Sequence, residues 1–196
     1  MKMFNELTAA SELARYRLPV RLQEHLDSFI LFPESRPKES KGSVQNGSVL
    51  TYSGKRFHPE ILQSDVGCGI TAFITEKTPM TLEAKRDILK AVDEMGIHIG
   101  QGDHFLDIAT GHPEHNGTNM FYLHSDLNSE NAIPKSIDES ISFERRSQER
   151  RFNFLSTLLK KIGVSGAFYR DWTHCSVRYR DGQTIYRRAA IDLQEN

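Results

Sequence analysis

The sequence predicts an α+β domain with mixed, largely antiparallel sheets and flanking helices. Three observations lead there. Apolar periods of two and of 3.6 residues both occur, but they do not alternate in the regular order of a doubly wound parallel sheet. The C-terminal part reads as consecutive strands, with Asp181-Gly182 between two alternating segments, the strongest hairpin signal in the chain. A chain of 196 residues with a net charge of −1 and 38% hydrophobic residues suits one sizeable core, read as a single domain over 1–196.

In chain order, residues 7–16 and 21–30 are expected to form two short amphipathic helices separated by Pro19. Leu22, Leu26, Phe29 and Ile30 form the apolar stripe of the second. The segment 31–54 is rich in Pro, Ser, Lys and Gly and reads as a surface loop feeding a strand at 48–53. Asn46-Gly47, between Val44 and Val49, is expected to be its hairpin turn. A buried strand is expected at 70–75. Thr78 and Pro79 then open a helix carrying Leu82, Ile88, Leu89, Val92 and Met95, which Gly96 ends.

In 97–110, Leu106 and Ile108 alternate with Phe105 and Asp107 as in a strand, and His104 stands at its entrance. A glycine-rich loop with His112 and His115 leads to a strand at 120–123 that delivers His124. Residues 136–162 carry the longest helical pattern, with Ile141, Phe152, Leu155, Leu158, Leu159 and Ile162 as the inner face and Gly163 as the stop. Within it lies Glu-Arg-Arg-Ser-Gln-Glu-Arg-Arg, four arginines against two glutamates. A solvated face, held by charge pairs of about 0.2–0.5 kcal/mol each, is favoured over a phosphate-binding surface. Strands are expected at 166–170, 174–180 and 183–191.

Global charge excludes a strongly basic nucleic-acid binder, so any such surface must be local. No run approaches membrane-spanning length, so no membrane partner is expected. No secretory signal is recognised, and Cys68 and Cys175 each sit beside a candidate ligand; reduced thiols in the cytoplasm are expected.

The candidate chemistry starts at Ser64-Asp65-Val66-Gly67-Cys68-Gly69-Ile70. A carboxylate and a thiol three residues apart, with glycines beside the thiol, could face one cavity from a strand mouth. Alone, the stretch is equally well read as a strand-entry turn with an inert cysteine. His104, His124 and His174 change the balance, because each lies at a predicted strand edge beside glycine or a polar turn. Asp65, Cys68, His104, His124 and His174 are the residue types that bind zinc, manganese or iron. Their wide spacing excludes a zinc finger and suits a site assembled across a sheet.

These residues carry a resemblance to the RtcB family, the GTP-dependent ligases that join a 2′,3′-cyclic or 3′-phosphate RNA end to a 5′-hydroxyl end. Asp65-Val66-Gly67-Cys68-Gly69-Ile70 resembles the family's Asp-Ile-Gly-Cys-Gly-Met. Gly102-Asp103-His104-Phe105 is similar to Gly-Asn-His-Phe, and His124-Ser125 to the start of His-Ser-Gly-Ser-Arg. His174-Cys175-Ser176-Val177 and Arg187-Arg188-Ala189-Ala190 resemble His-Asn-Tyr-Val and Arg-Lys-Gly-Ala; Pro33-Glu34 and Pro37 echo Pro-Asp-Ala-His-Pro-Gly. The order holds along roughly residues 31–191.

The resemblance implies an RtcB-like fold and two manganese ions, with zinc as the alternative metal. One ion would be held by Cys68, His124 and His174, the other by Asp65, Cys68 and His104, with the thiolate bridging. Catalytic roles fall on His174, Asp65 and Cys68. GTP is implied as cofactor, with Asp103, Arg187 and Arg188 on the nucleotide or phosphate side, and RNA ends as partner. The chain departs from the family in lacking a His-Gly-Ala-Gly-Arg element, in Asp103 for asparagine, in the missing arginine after His124-Ser125, and in length. His112 and His115 are read as plain loop histidines in preference to substitute nucleophiles, and a partner chain or a second copy of this chain could supply the nucleotide half. Two further readings follow: a metal-dependent RNA-end phosphatase or phosphodiesterase without guanylylation, and a non-catalytic RNA-end-binding domain.

Overall fold

The structure, a computed structural model, describes residues 18–36, 44, 46–62, 65–76, 80–95, 104–110, 118–125 and 133–188. The order of elements is α1 (Val20–Gln23), β1 (Leu26–Arg36), β2 (Asn46–Ser53), α2 (Pro59–Leu62) and β3 (Gly69–Thr75). There follow α3 (Leu82–Glu94), β4 (Phe105–Thr110), β5 (Asn119–Ser125), α4 (Ile137–Lys161), β6 (Gly166–Thr173), β7 (Cys175–Arg180) and β8 (Gln183–Arg188). The α+β expectation holds: two four-stranded sheets run in the orders β1-β2-β8-β7 and β4-β5-β3-β6. Among the described residues, no helix is long and apolar enough to cross a membrane.

The described residues fall into two compact units. The first comprises those of Met1–Gly67, Asn128–Arg145 and Thr173–Asn196; the second comprises those of Cys68–Leu127 and Arg146–Trp172.

In the first unit, β1 pairs with β2, β2 with β8, and β8 with β7, all antiparallel. The β7–β8 turn is as the sequence indicates. Asp181 and Gly182 both adopt left-handed backbone (φ 53° and 78°), and Arg180 pairs with Gln183 across them. Such a two-residue turn matches the twist of its strands only when both central residues have positive φ.

The N-terminal part of this unit departs from expectation. The helix expected at 21–30 is replaced by a single turn, α1, and the long strand β1. The apolar stripe served both periods: Phe29 and Leu31 are buried while Ile30 between them is 48% exposed, which is strand alternation. A register shift between Leu26 and Ser28 lets Leu26 also face inward. The first six residues of the stretch expected to be a surface loop, 31–36, therefore belong to β1. Asn46-Gly47 is not a hairpin turn but the start of β2, with Asn46 opposite Arg36 and Gly47 at φ 74°.

The second unit is built on β5 and β3, the two inner strands, which are buried along nearly their whole length; β4 and β6 at the edges are largely exposed. Phe73, Phe121 and Leu123 of the sheet pack with Ile88, Ala91 and Val92 of α3 and with Phe154, Leu155, Leu158 and Leu159 of α4. Burying each of the larger side chains in this cluster contributes about 1.5–3 kcal/mol. The start of α3 lies later than expected. Thr81 is its cap, with Oγ1 accepting from the Ala84 N–H at 3.1 Å, and 77–79 lie outside the described residues.

Helix α4 matches its expected span. Ser136 Oγ accepts from the Glu139 N–H, and Glu139 reaches back to the Lys135 N–H, a reciprocal cap. At the other end, Gly163 (φ 68°) donates to the Lys160 carbonyl and Val164 to the Leu159 carbonyl, the pair of bonds that closes a helix at a left-handed glycine. The inner face is corrected by two residues: Phe154 is buried and Phe152 is 41% exposed. The helix 7–16, Gly96, Asp103, His112 and His115 lie outside the described residues.

Candidate metal centre

The strand order of the second unit assembles the candidate ligands. Both β3 and β4 run antiparallel to β5, so the N-terminal ends of the two outer partners meet the C-terminal end of the middle strand. Cys68 immediately precedes β3, His104 immediately precedes β4, and His124 is the penultimate residue of β5. The register places His124 opposite Ile70 on one side and opposite Phe105 on the other. Three residues spread over 57 positions of sequence thus reach one sheet edge.

Cys68 Sγ lies 3.4 Å from His124 Nε2 and 3.8 Å from His104 Nε2. The two imidazoles stand edge to face, with centroids 5.6 Å apart, and Phe105 flanks His124 at 5.1 Å. Cys68 is 6% exposed and His124 9% exposed, so these two donors are shielded from bulk water, while His104 is half-buried. A metal with a sulfur bond of about 2.3 Å and a nitrogen bond of about 2.1 Å in tetrahedral geometry holds those two atoms about 3.6 Å apart. The observed separations bracket that value. The donor set, a thiolate with two imidazoles, is also one that zinc and other late divalent metals favour.

The other expected ligands belong to the first unit. Asp65 follows α2 and its carboxylate accepts from Arg188 Nη2 at 2.6 Å. Arg188 is 3% exposed and also donates to the carbonyls of Ile61 and Leu62 at 2.6 and 3.2 Å. Its guanidinium therefore orients Asp65 and the end of α2, where a phosphate contact is the sequence expectation. Arg187 is half-buried in β8, opposite Val49 and Ser176. His174 is half-buried at the single residue between β6 and β7. Gly67, at φ 78°, donates its N–H to the Cys175 carbonyl at 3.0 Å, which sets the turn between Asp65 and Cys68. Cys175 itself is 2% exposed with its thiol 3.7 Å from the Leu62 carbonyl, a packed structural position.

The charged run of α4 corrects the solvated-face expectation at two positions. Glu144 is buried and receives Arg178 through two bonds of 2.6 Å. Arg151 is fully buried and forks onto Asp171 of β6. The signal was available in the helical period: Arg151 stands four residues before Leu155 and seven before Leu158, on the core face.

No protein-family model matches the chain, and no curated protein matches it.

Proposed function

We propose that this chain is an RtcB-like metalloprotein that acts on RNA ends bearing a 3′-phosphate or 2′,3′-cyclic phosphate, either as a ligase or as a compact relative of one. The observation that carries the proposal is the clustering of Cys68, His104 and His124 at separations a bound divalent metal would impose. The residues are those that the motif resemblance singles out. Asp65 and His174 are assigned to the same centre by the resemblance, and their participation is part of the proposal. Manganese is the metal the resemblance implies; the soft, nitrogen-rich donor set of the second unit also suits zinc. When bound, such a metal supplies charge to stabilise a phosphoryl group under attack. The chain's own part is to orient the donors and to shield them from water. Reduced thiols are required for this, which supports a cytoplasmic setting.

One observation favours a second reading, an RNA-end phosphatase or phosphodiesterase without guanylylation. The Arg188 guanidinium, expected on the nucleotide or phosphate side, is engaged by Asp65 and two carbonyls. Nucleotidyl transfer needs the nucleotide phosphates held in line for attack, and positioning of that kind is worth several kcal/mol. The full chain incubated with labelled GTP and manganese and run on a denaturing gel separates the readings. No covalent label is expected from this chain alone; a denaturation-resistant label mapping to a histidine restores the GTP-dependent ligase. Release of phosphate, or opening of a cyclic phosphate, by the metal-loaded chain supports the second reading, and its absence with no labelling removes the enzymatic readings together.

A further inference from the structure

Arg151 is the largest fully buried side chain among the described residues. Its guanidinium forks onto Asp171, with Nε 3.0 Å from Oδ2 and Nη2 2.9 Å from Oδ1. Nε also donates to Thr71 Oγ1 at 3.0 Å, and the Thr71 hydroxyl donates in turn to Asp171 Oδ2. Nη1 donates to the Ser125 carbonyl at 2.8 Å. One side chain of α4 therefore ties together β3, β5 and β6.

Stability alone is a weak account of this arrangement. A buried ion pair barely offsets its own desolvation, and well-packed apolar residues in its place are often neutral or better. What the pair provides is a fixed geometry, since a planar guanidinium with two carboxylate bonds and a carbonyl bond has little freedom left. The carbonyl it grips is the informative one. Ser125 is the last residue of β5, follows His124 directly, and pairs across the sheet with Gly69, which follows Cys68 directly. Gripping Ser125 therefore fixes both strand ends that carry the thiol and the imidazole.

We propose that Arg151, oriented by Asp171 and Thr71, is a positioning residue for the metal centre, holding the Ser125 backbone so that Cys68 Sγ and His124 Nε2 keep a metal-binding separation. This rests on the metal reading above and adds the supporting shell to it. Changes in groups that orient metal ligands typically weaken binding by about 10–100-fold. The same is expected here of a side chain that grips the backbone next to a ligand.

The test is a cobalt(II) titration of the full chain and of its Arg151→Lys, Asp171→Asn and Thr71→Val variants. It follows the thiolate-to-cobalt charge-transfer band, the d–d bands and the affinity, with urea unfolding of the metal-free proteins alongside. Lysine keeps the charge but cannot bridge Asp171 and the Ser125 carbonyl together. Folded variants are expected to bind cobalt at least about tenfold more weakly, with altered d–d bands. Thr71→Val keeps the ion pair and removes one hydroxyl, so it decides the matter by the same readout if the charge variants do not fold. Wild-type affinity and wild-type bands in a folded Thr71→Val or Arg151→Lys protein, with only the unfolding midpoint lowered, would show a purely structural pair and overturn the proposal. Absence of a thiolate band from wild-type protein would overturn the metal reading itself, and this proposal with it.

Discussion

Cys68 and Cys175 are almost equally buried, at 6% and 2% exposure, yet opposite chemistry is expected of them. Cys68 faces two imidazole nitrogens, whereas the thiol of Cys175 approaches a backbone carbonyl. Since the thiolate is both nucleophile and ligand, Cys68 is expected to resist alkylation with metal bound and to label after chelation. Cys175 should label slowly in both states, as read by mass spectrometry of the modified peptides. Equal labelling of Cys68 with and without chelator would count against ligation. Arg188 offers a second test at this scale. Removing a buried partner leaves an uncompensated group, so Arg188→Met should cost about 3 kcal/mol in urea unfolding, near the lower end for buried pairs because Asp65 is 32% exposed. A change under about 1 kcal/mol would mean that solvent already screens the pair.

Elements were legible in the sequence wherever a local physical demand had one solution. Asp181-Gly182 could be read as a hairpin because two consecutive left-handed residues are tolerated by few other pairs. Gly182→Ala should therefore cost about 1 kcal/mol from backbone strain alone, because no atom lies within 4 Å of the added carbon. Unchanged stability on denaturant unfolding would contradict the strain argument. Helix α4 was legible from its length, its apolar period and its glycine stop. The region 21–30 was not, since four apolar residues satisfied either period and only pairing with β2 decides between them. Arg151 was hidden for a related reason. Its neighbours Arg145, Arg146 and Arg150 are exposed, so the run reads as solvated although its last member sits on the core stripe. Cys68, His104 and His124 could be singled out as candidates by type and by position at predicted strand ends, but their meeting depends on the β4-β5-β3 order, which no local pattern encodes.

At the scale of the whole molecule, stability should depend on pH through His58. Its Nε2 is buried without a hydrogen-bond partner, and its ring lies 4.8 Å from Tyr52 and 6.2 Å from Tyr186. Burial pushes its imidazole below the usual histidine range; Glu60 and Glu24 oppose this and Arg56 and Arg21 reinforce it. Between that lowered value and the ordinary value near 6.5, the unfolded chain binds a proton that the folded chain does not. The contribution is therefore complete above the ordinary value and is lost as pH falls through it toward the lowered one. His58→Phe, which keeps a ring against Tyr52, should flatten part of the decline in unfolding free energy between about pH 7 and pH 5. An unchanged slope would show that His58 titrates alike in both states.

The central claim is that Cys68 supplies the only sulfur to a divalent metal otherwise held by imidazole and carboxylate. X-ray absorption at the metal edge of the loaded full chain tests this most directly. The account predicts one sulfur scatterer at about 2.3 Å beside nitrogen or oxygen scatterers at about 2.0–2.2 Å. The sulfur should vanish in Cys68→Ala and remain in Cys175→Ala. A shell of nitrogen and oxygen alone in the wild-type protein, or a sulfur that persists in Cys68→Ala, would contradict it.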